Sequence, residues 1–87
     1  MKKSIEVKSI KDVDFSGLKF PQIVTYYHPE DFPESCVARV FDSGVPTNVF
    51  MRRNTIAELN MDIRRWTDMI FFTRGPEDVP ALIGVWK

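Results

Sequence analysis

The chain holds one cysteine, Cys36, and one histidine, His28. A single cysteine cannot close a disulfide within the chain. One His beside one Cys also falls short of the three or four ligands of a zinc site, so disulfide-stapled and zinc-nucleated folds are both excluded. Glycine is sparse and scattered at Gly17, Gly44, Gly75 and Gly84. It never falls in the GxxxxGK or GxGxxG spacing that cradles phosphates, and no G-x-S-x-G elbow is present. Net charge is missing too, because 12 basic and 12 acidic side chains cancel. That removes the electrostatic footprint of a non-specific binder of nucleic acid or anionic membrane. No run approaches about 20 apolar residues. Met1-Lys2-Lys3 passes into alternating Ser4-Ile5-Glu6-Val7-Lys8 rather than an apolar secretion core, so the expectation is a soluble cytoplasmic protein without a membrane partner.

What is present is enough for a single small core. At 87 residues, 44% hydrophobic and 28% charged, residues 1–87 form one globular domain with a stability on the order of 5 to 10 kcal/mol and no room for a second. The stretch Cys36 to Trp66 organises it. Two β-branched and aromatic runs, Cys36–Asp42 and Thr47–Arg53, flank the turn Ser43-Gly44-Val45-Pro46 and read as a hairpin. Pairing Asp42 with Thr47 places Cys36, Ala38, Val40, Val49, Met51 and Arg53 on one face. Val37, Arg39, Phe41, Asn48, Phe50 and Arg52 fall on the other. Asn54-Thr55-Ile56-Ala57-Glu58 follows at once, and the Thr55 to Glu58 spacing is a capping box that opens a helix over 55–66. Ile56, Leu59, Ile63 and Trp66 share one arc of that helix, with Glu58, Asp62, Arg64 and Arg65 pointing away.

Before this stretch, Ile5 and Val7 alternate with charge as a short edge strand, Ser9 to Lys19 reads as one capped turn and a loop, and Gln22 to His28 reads as a strand. The acidic loop Pro29 to Ser35 joins that strand to Cys36. Closing it with His28 opposite Cys36 puts Val24, Tyr26 and His28 on the apolar face and Ile23, Thr25 and Tyr27 on the mixed one. After the helix, Met69 to Thr73 and Ala81 to Trp86 read as two further strands around a turn at Gly75 to Pro80. The fold class is therefore α+β: an antiparallel sheet of about five to six strands in the order β-β-β-β-α-β-β, with the helix packed on one face.

Candidate chemistry is thin. His28 with Glu30 or Asp31 is the only pair that could act as acid and base. Glu30, Asp31 and Glu34 lack the ligand spacing and central glycine of a calcium loop. Cys36 sits in an apolar strand as a structural thiol. No cofactor, metal or small-molecule substrate is inferred. The lysines lie at Lys2, Lys3, Lys8, Lys11, Lys19 and Lys87, whereas every arginine falls between Arg39 and Arg74. Arginine is the cation suited to interfaces, because its flat guanidinium stacks and bonds bidentately. The candidate surface is therefore the mixed face, with Tyr27, Arg39, Phe41, Phe50 and Arg52 as its named members and Ile23 beside them. Either the Ser9 to Lys19 segment or the last two strands cover this face, or it is exposed and binds a protein partner or a second copy of the chain. The alternative is stacking of single-stranded nucleic acid on Tyr27, Phe41 and Phe50. Met61 beside Arg64 and Arg65 is an exposed helix residue.

Two resemblances attach to these residues. The string Phe20-Pro21-x-Ile23-Val24-x-Tyr26-x-x-Pro29-x-Asp31-x-Pro33, with Val37-Ala38-Arg39 and Pro46-Thr47-Asn48 after it, resembles small bacterial proteins of unassigned function. The meander running into Asn54-Thr55-Ile56-Ala57-Glu58-Leu59 is similar to HicB-type antitoxins. That likeness implies a partial RNase H-like sheet that neutralises a small toxin by protein contact. This chain has Phe41-Asp42-Ser43-Gly44-Val45-Pro46 where that family has Pro-Asp-Leu-Pro-Gly-Cys at the strand end.

Overall fold

A computed structural model describes residues 4–75 and 80–87. The chain runs β1 (Ile5–Val7), two 3-10 turns (Ile10–Asp12 and Phe15–Gly17), β2 (Pro21–Tyr27), β3 (Cys36–Asp42), β4 (Val45–Arg53), α1 (Ile56–Trp66), β5 (Phe71–Thr73) and β6 (Leu82–Trp86). The α+β class and the single main helix are as the sequence predicts. The turn expected at Gly75 to Pro80 falls on residues 76–79, outside the described residues.

The sheet is mixed rather than antiparallel, with spatial order β1-β4-β3-β2-β6-β5. β1 lies parallel to β4, pairing Ile5 with Val49 and Val7 with Met51. Parallel neighbours need a long crossover. Here β1 and β2 point the same way, and the chain between them crosses β4 and β3 on the helix side. Ile10 is buried there in one cluster with Cys36, Ala38, Met51, Leu59, Ile63, Ile23 and Trp86.

The hairpin of β3 and β4 keeps the predicted pairing at its far end, Cys36 with Arg53 and Ala38 with Met51, and departs from it at the turn. Ser43 and Gly44 take φ of 54° and 80°, the pair of left-handed residues a two-residue hairpin turn requires. Asp42 therefore pairs with Val45 rather than Thr47, and the surplus residues of β4 bulge out opposite Val40. The Thr47 hydroxyl donates to the Val40 carbonyl at 2.7 Å and accepts from the Val49 amide at 3.2 Å, which satisfies the interrupted ladder. The bulge takes up an even number of residues, so both strands keep their predicted faces.

β2 does not. Tyr27, not His28, stands opposite Cys36. A slip of one residue turns every side chain to the other face. Ile23 and Thr25 therefore belong with Cys36 and Ala38 under the helix, with exposed Tyr27 at the end of the same face, and Val24 and Tyr26 belong with Arg39 and Phe41. The cause is His28, whose φ of 48° ends the strand one residue earlier than its β-rich sequence suggests.

In α1 the Thr55 side chain accepts from the Glu58 amide at 3.2 Å, while the Glu58 carboxylate reaches the amide of Asn54, at 3.0 Å, rather than that of Thr55. Leu59 and Ile63 are fully buried. Trp66 is 45% exposed, held between Lys11 and Arg65, whose charges lie 5.6 and 5.3 Å from its ring. Asp62 does not point to water as the helical phase suggests. Its carboxylate accepts from the Ser9 hydroxyl at 2.8 Å and the Ile10 amide at 2.7 Å, and so ties the crossover to the helix. Replacing Asp62 by Ala strands that amide and hydroxyl, and urea denaturation is expected to show a loss of about 1 to 3 kcal/mol.

Candidate functional site

The face of the sheet away from α1 carries Arg39, Phe41, Phe50 and Arg52 as predicted. Neither of the covers expected from the sequence lies on it. The β2–β3 loop does. His28 turns the chain, its amide donating to the Ser35 carbonyl at 3.0 Å. Inner turns Phe32 N–H to Pro29 O at 3.0 Å and Ser35 N–H to Phe32 O at 3.1 Å then fold the loop back over the sheet. This lays Phe32 on Phe50, with ring centroids 5.2 Å apart.

A short stack results. The Arg39 guanidinium lies 5.5 Å from the centre of Phe50, Phe50 meets Phe32, and the Arg52 guanidinium lies 4.8 Å from the centre of Phe32. Each arginine is matched by a carboxylate. Arg39 pairs with Asp31, and Arg52 makes two bonds of 3.1 Å to the two oxygens of Glu6 in the bidentate manner its fork favours. Tyr26 stands in the same neighbourhood. Burial raises its phenol above the usual range and Asp31 adds to that, while Arg39 opposes it.

Two named members of the candidate surface are thereby corrected. Phe50 is only 5% exposed, because Phe32 lies on it. Tyr27 is on the opposite face and stacks on His28 at 4.0 Å. Arg39 and Phe41 are half-buried, and Arg52 is exposed but engaged by Glu6 and Phe32. The acid and base pair is not assembled: Asp31 turns to Arg39, and no hydrogen bond or ion pair among the described residues joins His28 to Glu30. No three His, Cys, Asp or Glu side chains converge among the described residues. The Cys36 thiol is buried against the Asn54 carbonyl, 3.8 Å away. Burial pushes it above the ordinary thiol range against a backbone contact at His28 that pulls it down, so it stays protonated and unreactive near neutrality.

No protein-family model, curated protein or solved structure matches this chain. The reading of its surface therefore stands on geometry.

The loop covers only one half of the helix-free face. On the other half, Val24 pairs with Val85 and Val85 with Phe72, and Ile70 faces Lys87 through two backbone hydrogen bonds. None of the described residues lies over this corner: Ile70 is 65% and Phe72 48% exposed, with the Lys87 ammonium 5.3 Å from the centre of the Phe72 ring. The sequence held a signal for this. Ile70 and Phe72 alternate with Phe71, which packs into the core, so one parity of an apolar run had to face outward. No helix among the described residues is long and apolar enough to cross a membrane.

Proposed function

We propose that this protein is a small, non-catalytic, cytoplasmic interaction module whose partner is a protein, met by the open half of the helix-free face. The observation that supports this is the exposure of Ile70 and Phe72 on a sheet face without a helix. Two large apolar side chains, bordered by Val85 and by Lys87, offer the apolar centre and polar rim of a binding patch. The role that fits is that of an inhibitor acting by contact, in the manner the HicB-type resemblance implies. The self-neutralised stack of Arg39, Phe50, Phe32 and Arg52 serves as its rigid border.

Stacking on single-stranded nucleic acid loses its support. Of its three rings, Phe50 lies beneath Phe32 and Tyr27 is on the other face.

The test is affinity purification of the tagged protein with its bound partners, comparing wild type, an Ile70→Asp plus Phe72→Asp variant, and a Tyr27→Ala variant, all checked for cooperative unfolding. The face variant is expected to lose the partner, and Tyr27→Ala to keep it. A folded face variant that retains every wild-type partner overturns the reading.

A further inference from the structure

Two strands form the edges of the sheet, β1 and β5. Natural edges are protected by charge, proline or a covering segment. β1 carries Glu6 and is followed by Lys8. Among the described residues, β5 has no such protection. Met69-Ile70-Phe71-Phe72-Thr73 contains no charge, proline or glycine, and stands between Asp68 and Arg74.

The ladder on its inner side says which backbone groups are left over. Ile70 exchanges both backbone hydrogen bonds with Lys87, at 2.9 and 3.1 Å, and the Arg74 amide donates to the Ile83 carbonyl at 3.2 Å. In an antiparallel pair these groups alternate. Ile70, Phe72 and Arg74 therefore direct N–H and C=O inward to β6, and Phe71 and Thr73 direct theirs outward, where no further strand is described.

We propose that a second copy of this chain adds to β5 in antiparallel orientation about a two-fold axis at Phe72, joining the two sheets into one. In this register Phe71 of each copy pairs with Thr73 of the other, and both pairs exchange both backbone hydrogen bonds. Phe72 then meets its own counterpart at a non-hydrogen-bonded position, where side chains approach most closely.

Three features select a second copy over other extended segments. The register closes on itself, as an isologous contact must. The neutral run lies between an acid and a base; in this antiparallel register Arg74 stands opposite Ile70 of the other copy, two residues along from its Asp68, whereas parallel pairing sets like charge beside like. The residue needing cover, Phe72, is the one placed on the axis. One short strand per copy is less than a standard interface, so the association is weak and depends on concentration. This inference shares Phe72 with the partner-binding face but is carried by the backbone edge of β5, and the exchange of the Phe71 and Thr73 amides reads that edge alone, so its failure is distinguishable from failure of the partner-binding reading.

The test is amide hydrogen exchange by NMR on the full chain across a wide range of protein concentration, with sedimentation on the same samples. At low concentration the Phe71 and Thr73 amides are expected to exchange freely while that of Phe72, bonded to β6, is protected. Raising the concentration is expected to slow Phe71 and Thr73 by about tenfold as dimer accumulates. Thr73→Pro removes an outward donor and leaves the ladder to β6 intact. It is expected to stay monomeric at every concentration with Phe72 still protected. If that variant also loses Phe72 protection, the wild-type exchange of Phe71 and Thr73 decides alone. Concentration-independent exchange at both amides overturns the proposal, and so does a dimer that a folded Thr73→Pro variant does not weaken.

Discussion

Leu59→Ala is expected to lower the unfolding free energy by about 2 to 4 kcal/mol and the Tm by about 10 °C or more. Leu59 is fully buried, in one cluster with Met51, Cys36, Ala38, Ile63 and the crossover residue Ile10. Several elements meet in this cluster: the helix, β3, β4 and the 3-10 turn after β1. The backbone around the site is fixed by the Thr55 and Glu58 cap on one side and by the Asp62 bonds to Ser9 and Ile10 on the other. The hole cannot collapse easily, which places the loss within the cavity-forming range. Arg64→Ala, on the exposed side of the same helix, is expected to cost well under about 1 kcal/mol. Chemical denaturation of the two variants checks both values, and equal losses would mean that the helix presents a different face to the sheet.

Gly84→Ala is the second large effect, and it acts near the β5 edge of the sheet, on the same face as the helix. A Cβ at position 84 meets the edge of the Phe71 ring and lies 2.6 Å from the backbone carbonyl oxygen of Phe72. The ring can swing, but the carbonyl cannot move without pulling β5 away from β6. The ring lying over a strand glycine is also a means by which sheets recover the packing that glycine forgoes. The expected cost is about 1 to 3 kcal/mol. Its signature is local: hydrogen exchange should show the Phe72 amide losing protection well before the amides of β3 and β4. Uniform loss across the sheet would count against this account.

The elements these variants probe were unequally legible in the sequence. The helix start was plain, because Thr55 and Glu58 carry their chemistry within one turn. The hairpin was plain in type but not in its end, where Ser43 and Gly44 turn tightly and Thr47 absorbs the mismatch. The parity of β2 was hidden. Ile23, Thr25 and Tyr27 are about as fit for burial as Val24, Tyr26 and His28, so composition offers no preference. A left-handed backbone at His28 decides the register. The cover over Phe50 was hidden for another reason: Phe32 sits in an acidic, proline-bounded loop, and no periodicity says which face such a loop folds onto. Asp62 looked solvent-facing by phase alone, since its partners Ser9 and Ile10 lie at the other end of the chain. Sequence patterns record local preferences, and each of these features depends on where a distant segment comes to rest.

The parallel pairing of β1 with β4 also bears on synthesis. β1 is made before β4, and its partner Val49 follows Ile5 by 44 residues. At translation rates of about 5 to 20 residues per second, the strand must spend seconds in water before β4 exists to receive it. Its alternation of Ile5 and Val7 with Glu6 and Lys8 suits that interval, leaving it too polar to aggregate and apolar enough on one side to dock once the meander has formed.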